Sequence, residues 1–126
     1  MVYMLLGTGF EETEALAPLD IIRRAEEEIY TVGVGGKVIT SAHQVPVVAD
    51  VMDSEIAPDK DCDGIILPGG MPGTLNLEKS PLVQSFIDYC VENKKLIAAI
   101  CAAPSILGHK GLLEGKKAVC FPGFEE

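Results

Sequence analysis

Apolar residues recur along this chain in two alternating patterns. Unbroken apolar runs at residues 2–6, 29–34, 64–67, 96–100 and 118–121 have the length of strands buried on both faces. Longer segments between them repeat at the helical period. "TEALAPLDIIRRA" (13–25) sets Leu16, Leu19 and Ile22 on one stripe, and "SPLVQSFIDYCVEN" (80–93) opens on a Ser-Pro start signal and repeats Leu82, Phe86, Ile87 and Cys90. "APSILGHKGLL" predicts a third helix, kept short by Gly108 and Gly111. Buried strands alternating with helices predict a doubly wound α/β domain around a mostly parallel sheet. Residues 37–60 break the alternation. There "VITSAHQVPVVADV" reads as a hairpin or excursion at the sheet edge, because Pro46 is unsuited to a central strand. No repeat, linker or low-complexity segment divides the chain, so one domain over residues 1–126 is expected.

Composition narrows the function classes. A chain of 126 residues with 48% hydrophobic and 23% charged residues can bury a core without staples. Nineteen acidic residues against ten basic ones give a net charge of −9, which repels a phosphate backbone and argues against nucleic acid as a partner. "MVYMLLGTGFEE" has no basic residue before its short apolar run and carboxylates straight after it. It reads as a first core strand in a cytoplasmic protein, with no signal peptide and no membrane span. Cys62, Cys90, Cys101 and Cys120 form no CxxC pair and no Cys/His cluster, so neither a metal site nor a disulfide framework is expected.

In a doubly wound sheet the ligand crevice lies outside the carboxyl ends of the strands. That rule singles out "GTGFEETE", "PGGMPG" and "CAAP" as loops that converge on one pocket. The first is not a dinucleotide fingerprint. Glu12 stands where the third glycine belongs, and Glu11, Glu12 and Glu14 crowd the helix start where a pyrophosphate would sit. Glu11 and Glu12 are read as carboxylates that suit a helix N-terminus. Glu14 shares its helix face with Ala17, Pro18 and Ile21, so partial desolvation and general-acid behaviour are expected, alongside a purely structural alternative. Pro18 leaves the Glu14 carbonyl without a helical donor.

"PGGMPG" exposes backbone N–H groups suited to an oxyanion hole. Cys101 sits at a strand-to-helix turn flanked by Ala98, Ala99, Ala102 and Ala103, small enough for a nucleophile elbow, with Pro104 opening the next helix. A helix N-terminus there would favour the thiolate. The residues alone leave two readings open, a reactive thiol or a small buried side chain. His109 lies eight residues on, about 12 Å of helical rise away, too far to serve as its base.

Taken together, "GFEETEALAPLDIIRRA", "GIILPGGMPGTLNL" and "LIAAICAAPSILGHKGLLEGKKAVCFPGFEE" resemble the ThiJ/PfpI superfamily, in the branch of the Parkinsonism-associated protein deglycase and its bacterial relatives. The resemblance implies a flavodoxin-like three-layer α/β sandwich, a homodimer, no cofactor, and a family domain that continues beyond Glu126. It implies Cys101 as the reactive elbow cysteine and Glu14 as the protonated glutamate that hydrogen-bonds it. Gly69, Gly70 and Ala102 would supply backbone amides for an oxyanion. Arg24 and His43 fall in segments near the dimer interface and pocket mouth. Phe121 stands where some members carry a histidine, and "RRAEEEIY" lacks the glycine that usually ends its helix. The implied activity is a glyoxalase or deglycase acting on a small reactive aldehyde such as methylglyoxal or its adducts. The alternative is a redox sensor or chaperone in which Cys101 is oxidised to a sulfinate. The cysteine peptidases of the PfpI branch have histidine directly after the nucleophile, where this chain has Ala102.

Overall fold

In the computed structural model, which describes residues 1–125, the first apolar run forms β1 (Val2–Gly7), the middle strand of a five-stranded parallel sheet. The chain continues through α1 (Glu12–Arg24), β2 (Ile29–Val34), β3 (Val38–Thr40), β4 (Pro46–Val48), β5 (Val51–Met52) and a single 3-10 turn at Asp53–Glu55. Then come β6 (Gly64–Leu67), α2 (Gly73–Glu78), α3 (Pro81–Glu92), β7 (Leu96–Ala99) and α4 (Pro104–His109). The sheet order is β5-β2-β1-β6-β7, so three site-bearing strands, β1, β6 and β7, stand side by side.

The alternation along β1 divides the core in two. Tyr3 and Leu5 face the layer of α2, α3 and α4, where Leu77, Phe86, Ile87 and Ile106 are fully buried. Met4 and Leu6 face the opposite layer, packing with Phe10, Ala15 and Leu19 of the α1 segment and Ile39 of β3. Helices therefore cover both faces of the sheet, and the architecture is the flavodoxin-like three-layer α/β sandwich expected.

α1 and α3 fall within a residue of their expected bounds, the latter because Ser80 caps Val83 N–H and Pro81 opens the first turn. The edge excursion contains an antiparallel hairpin of β3 and β4, with Pro46 opposite Thr40. It also contributes β5, which pairs with β2 through only two residues and carries too short an apolar pattern to announce itself. α2 is a further element with no periodic signal, six residues long. The expected strand at 118–121 does not form. Val119 is 88% exposed, and in place of a ladder Phe121 N–H bonds to the Cys101 carbonyl at 2.7 Å while its own carbonyl accepts Phe124 N–H in a local turn at 3.2 Å. Among the described residues no helix is long and apolar enough to cross a membrane.

At the exit of α1 the glycine position is taken by Glu26, which adopts φ 62 while its N–H bonds to the Arg23 carbonyl at 3.0 Å. A side chain in the left-handed region costs about 1–2 kcal/mol. Glu26→Gly is therefore expected to stabilise the fold by about 1 kcal/mol, read as a higher midpoint in urea at unchanged slope.

Candidate active site

The carboxyl ends of β1, β6 and β7 bring the three selected loops together. Cys101 follows β7 in a tight turn with φ 62, a left-handed conformation that a side-chain-bearing residue rarely adopts and that is found at functional turns. Ala102 and Ala103 behind it are buried, 2% and 0% exposed. The turn is held by Ala103 N–H to the Ile100 carbonyl at 3.1 Å, and Cys101 itself remains half-buried.

Glu14, in the first turn of α1, accepts a hydrogen bond from Gly69 N–H on Oε1 at 2.9 Å. The Cys101 side chain meets the same carboxylate across the Gly69 peptide, close enough for the Glu14 charge and the Ala102 and Gly70 amides to act on the thiol. Gly69 is forced by this packing. A Cβ there would lie 2.5 Å from Glu14 Oε1 and 2.7 Å from Cys101 Cβ. Gly70 adopts φ +98, and its missing side chain makes room for Glu11 N at 2.4 Å from the same kind of position.

Several expectations change here. Glu14 is half-buried by the loop after β6 and by Cys101, not by its own helix face, on which Ala17 and Ile21 are exposed. Gly69 N–H is directed at Glu14, so the amides that face the sulfur are those of Gly70 and Ala102. The thiolate is not favoured by a helix terminus, because α4 begins three residues later and has only six residues. Burial pushes the Cys101 thiol up from its ordinary range, and the charge and hydrogen bond of Glu14 push it further. The Ala102 and Gly70 amides pull it down, without reversing the sign. Cys62 and Cys90 are fully buried, and burial drives Cys90 to about 12, so both are inert core thiols.

His43 approaches the start of α1, with Nδ1 2.7 Å from Glu12 Oε1 and 3.8 Å from Glu11 Oε1. Burial opposes ionisation of Glu12. Hydrogen bonds from its own backbone, Ser41 and His43, with the His43 charge, nevertheless hold its carboxyl below the usual range. Glu11, Glu12 and His43 offer three donor atoms within 4.8 Å of one another, the one such group among the described residues that could hold a cation. The His43–Glu12 pair already accounts for that closeness. Arg24 is not brought to the site. It pairs with Asp20 at 3.1 Å, 78% exposed, near the far end of α1. Glu11 is the residue whose part the sequence did not signal, since glutamate is not a favoured N-cap, yet it caps α1 through Glu14 N–H at 2.9 Å.

The family model described as the DJ-1/PfpI family matches residues 1–126. Protein DJ-1 homolog B of Arabidopsis thaliana is 38% identical over 99% of this chain and 29% of its own length. Protein dj-1beta of Drosophila melanogaster is 32% identical over 97% of this chain and 65% of its own. A deglycase of Thermococcus kodakarensis is 32% identical over 92% and 69%. The chain thus spans under a third of the plant relative and about two thirds of the other two. Among solved structures, oxidised Toxoplasma gondii DJ-1 superposes with a TM-score of 0.91 at 34% identity, over 98% of this chain and 67% of that one. A DJ-1 superfamily protein from Salmonella typhimurium, solved as a cysteine-to-alanine mutant, gives 0.88 at 37% identity over the same shares.

The sign of the Glu14 effect on Cys101 is testable by alkylation across pH. Glu14→Gln removes the neighbouring negative charge, so its Cys101 midpoint is expected below that of the wild type, with faster labelling at any fixed pH beneath it. Peptide mapping of the folded chain should show Cys62 and Cys90 unlabelled.

Proposed function

The chain belongs to the DJ-1/PfpI family, and on that premise we propose that it is a cysteine-dependent, cofactor-free glyoxalase or deglycase acting on methylglyoxal or its adducts, in defence against carbonyl or oxidative stress. The observation that carries this reading is the convergence of Cys101, in a strained turn, and the Glu14 carboxylate on the Gly69 peptide. A reducing compartment such as the cytoplasm suits a free thiol in this role. A homodimer fits the apolar surface left on the α1 and hairpin layer, where Ile21 is 67% and Val48 69% exposed.

The chemistry follows from the atoms at hand. Cys101 Sγ adds to the aldehyde carbon of methylglyoxal, and the thiol proton passes through Glu14 to the aldehyde oxygen, giving a hemithioacetal. The Gly70 and Ala102 N–H groups stabilise negative charge on that oxygen as the C–S bond forms. Glu14, oriented by Gly69 N–H, then takes the hydrogen of the former aldehyde carbon as a proton while the ketone oxygen takes one from water, which recovers it from the first hydroxyl in the next step, to form an enediol. Return of the proton from Glu14 to the second carbon, with loss of the hydroxyl proton on the first, leaves a lactoyl thioester. Water cleaves it to lactate and restores the thiol. The net reaction adds one water to methylglyoxal. Three carboxylates on this rim, Glu11, Glu12 and Glu14, disfavour anionic substrates and suit an uncharged dicarbonyl.

A second reading uses the same sulfur. Two equivalents of hydroperoxide would convert the thiolate to a sulfinate, each cleaved O–O bond leaving one oxygen on sulfur and one in water or alcohol. The paired amides of Gly70 and Ala102 favour it, because they would hold the sulfinate oxygens.

Lactate formation from methylglyoxal separates the two. Cys101→Ser and Glu14→Gln are each expected to lose at least about 100-fold in kcat/KM. Equal, slow rates in all three proteins, with peroxide still forming a sulfinate at Cys101, would discard the enzyme and leave the sensor.

A further inference from the structure

Glu11 occupies a position where its residue type is unusual. As the N-cap of α1 it has an extended backbone, φ −81 and ψ 116, and its side chain accepts Glu14 N–H. Shorter side chains fill that role far more often. The extra length has a visible use. While Oε2 takes Glu14 N–H at 2.9 Å, Oε1 lies 3.8 Å from His43 Nδ1, and the side chain is only 24% exposed.

Glu11 also closes a ring of three hydrogen bonds. Its own N–H donates to the Gly69 carbonyl at 2.9 Å, Gly69 N–H donates to Glu14 Oε1 at 2.9 Å, and Glu14 N–H donates to Glu11 Oε2 at 2.9 Å. Both ends of Glu14, backbone and carboxylate, are thereby tied to one pair of residues. The ring stands directly against the nucleophile, since the space at Gly69 that a Cβ would take abuts Cys101 Cβ. Gly70 adjoins it, with Glu11 N pressed into the place its side chain would fill.

We propose that Glu11 is a positioning residue for the Cys101–Glu14 pair. It fixes the first turn of α1 against the Gly69 peptide so that the Glu14 carboxylate is presented to the sulfur. Its part in the reaction rests on the assignment of Glu14 as proton carrier, but its effect on Cys101 is readable without turnover.

The test uses the full chain with Glu11→Ala, Glu11→Gln and Ser80→Ala, the last removing an N-cap of the same kind from α3. Cys101 alkylation is followed across pH, with thermal melts and lactate production measured beside it. The titratable groups around the sulfur are Glu14, with Glu11, Glu12 and His43 beyond it. Glu11→Ala releases Glu14, so the alkylation midpoint is expected to fall toward that of Glu14→Gln, with several-fold faster labelling below the wild-type midpoint. Glu11→Gln, whose amide oxygen still accepts Glu14 N–H, is expected to retain the wild-type profile. Ser80→Ala should lower the melting temperature and leave the profile in place. If Glu11→Ala lowers the melting temperature without moving the profile, Glu11 is a helix cap only and the proposal falls. It falls equally if Glu11→Gln moves the profile as far as Glu11→Ala, for then charge and not position is at work. Absence of lactate from the wild type counts against the enzymatic reading alone, because the alkylation comparison still decides the part of Glu11.

Discussion

No side chain fits at Gly69. A Cβ there would meet Glu14 Oε1 from the start of α1 and Cys101 Cβ and the Ile100 carbonyl oxygen from the turn after β7, all within 3 Å. The bare peptide lets a helix start, a glycine loop and the Cys101 turn share one small volume. The sheet makes this possible. With β1, β6 and β7 adjacent and parallel, their carboxyl ends lie along one edge, and residues 14, 69 and 101 need only short excursions to meet.

That crowding also explains how a strained residue persists. A non-glycine residue at φ 62 costs of order 1–3 kcal/mol, and such a cost survives only where the surroundings over-determine the conformation. Around Cys101 they do. Buried Ala102 and Ala103 lie on one side, the Phe121 N–H bond to the Cys101 carbonyl on another, and Glu14 on the third. The same enclosure raises the thiol, so in the proposed reaction attack by sulfur would depend on proton transfer to a neighbour more than on a standing thiolate. A carboxylate placed by a backbone amide is suited to that task.

What could be read from the residues alone followed the strength of local patterning. The strands at 29–34 and 64–67 and the helix capped by Ser80 declare themselves through unbroken or periodic burial, and Pro46 marked the edge hairpin by the donor it lacks. β5 and α2 carried no such signal, being two and six residues long and stabilised by what they pack on. Residues 118–121 show the reverse case, apolar enough for a strand but joined to the site only through Phe121 N–H and the Cys101 carbonyl among the described residues. At the site, Cys101, Glu14 and the glycine loop were readable because each is peculiar in its own neighbourhood. The direction of the Gly69 amide, the sign of the thiol shift and the reach of Glu11 were not, since each depends on which segments of the chain the fold packs together.

The carboxylates that open α1 illustrate how one charge cluster can be divided among separate tasks. Side by side at a helix terminus in a chain of net charge −9, they should repel. Each instead has its own partners. Glu12 turns to His43 and Ser41 and joins α1 to the hairpin, Glu11 turns to the Gly69 peptide and the start of its own helix, and Glu14 turns to Gly69 N–H and the sulfur. The helix terminus favours all three carboxylates in common. The hydrogen bonds give each its direction, and direction is what separates a carboxylate that ties the hairpin to α1 from one presented to the sulfur.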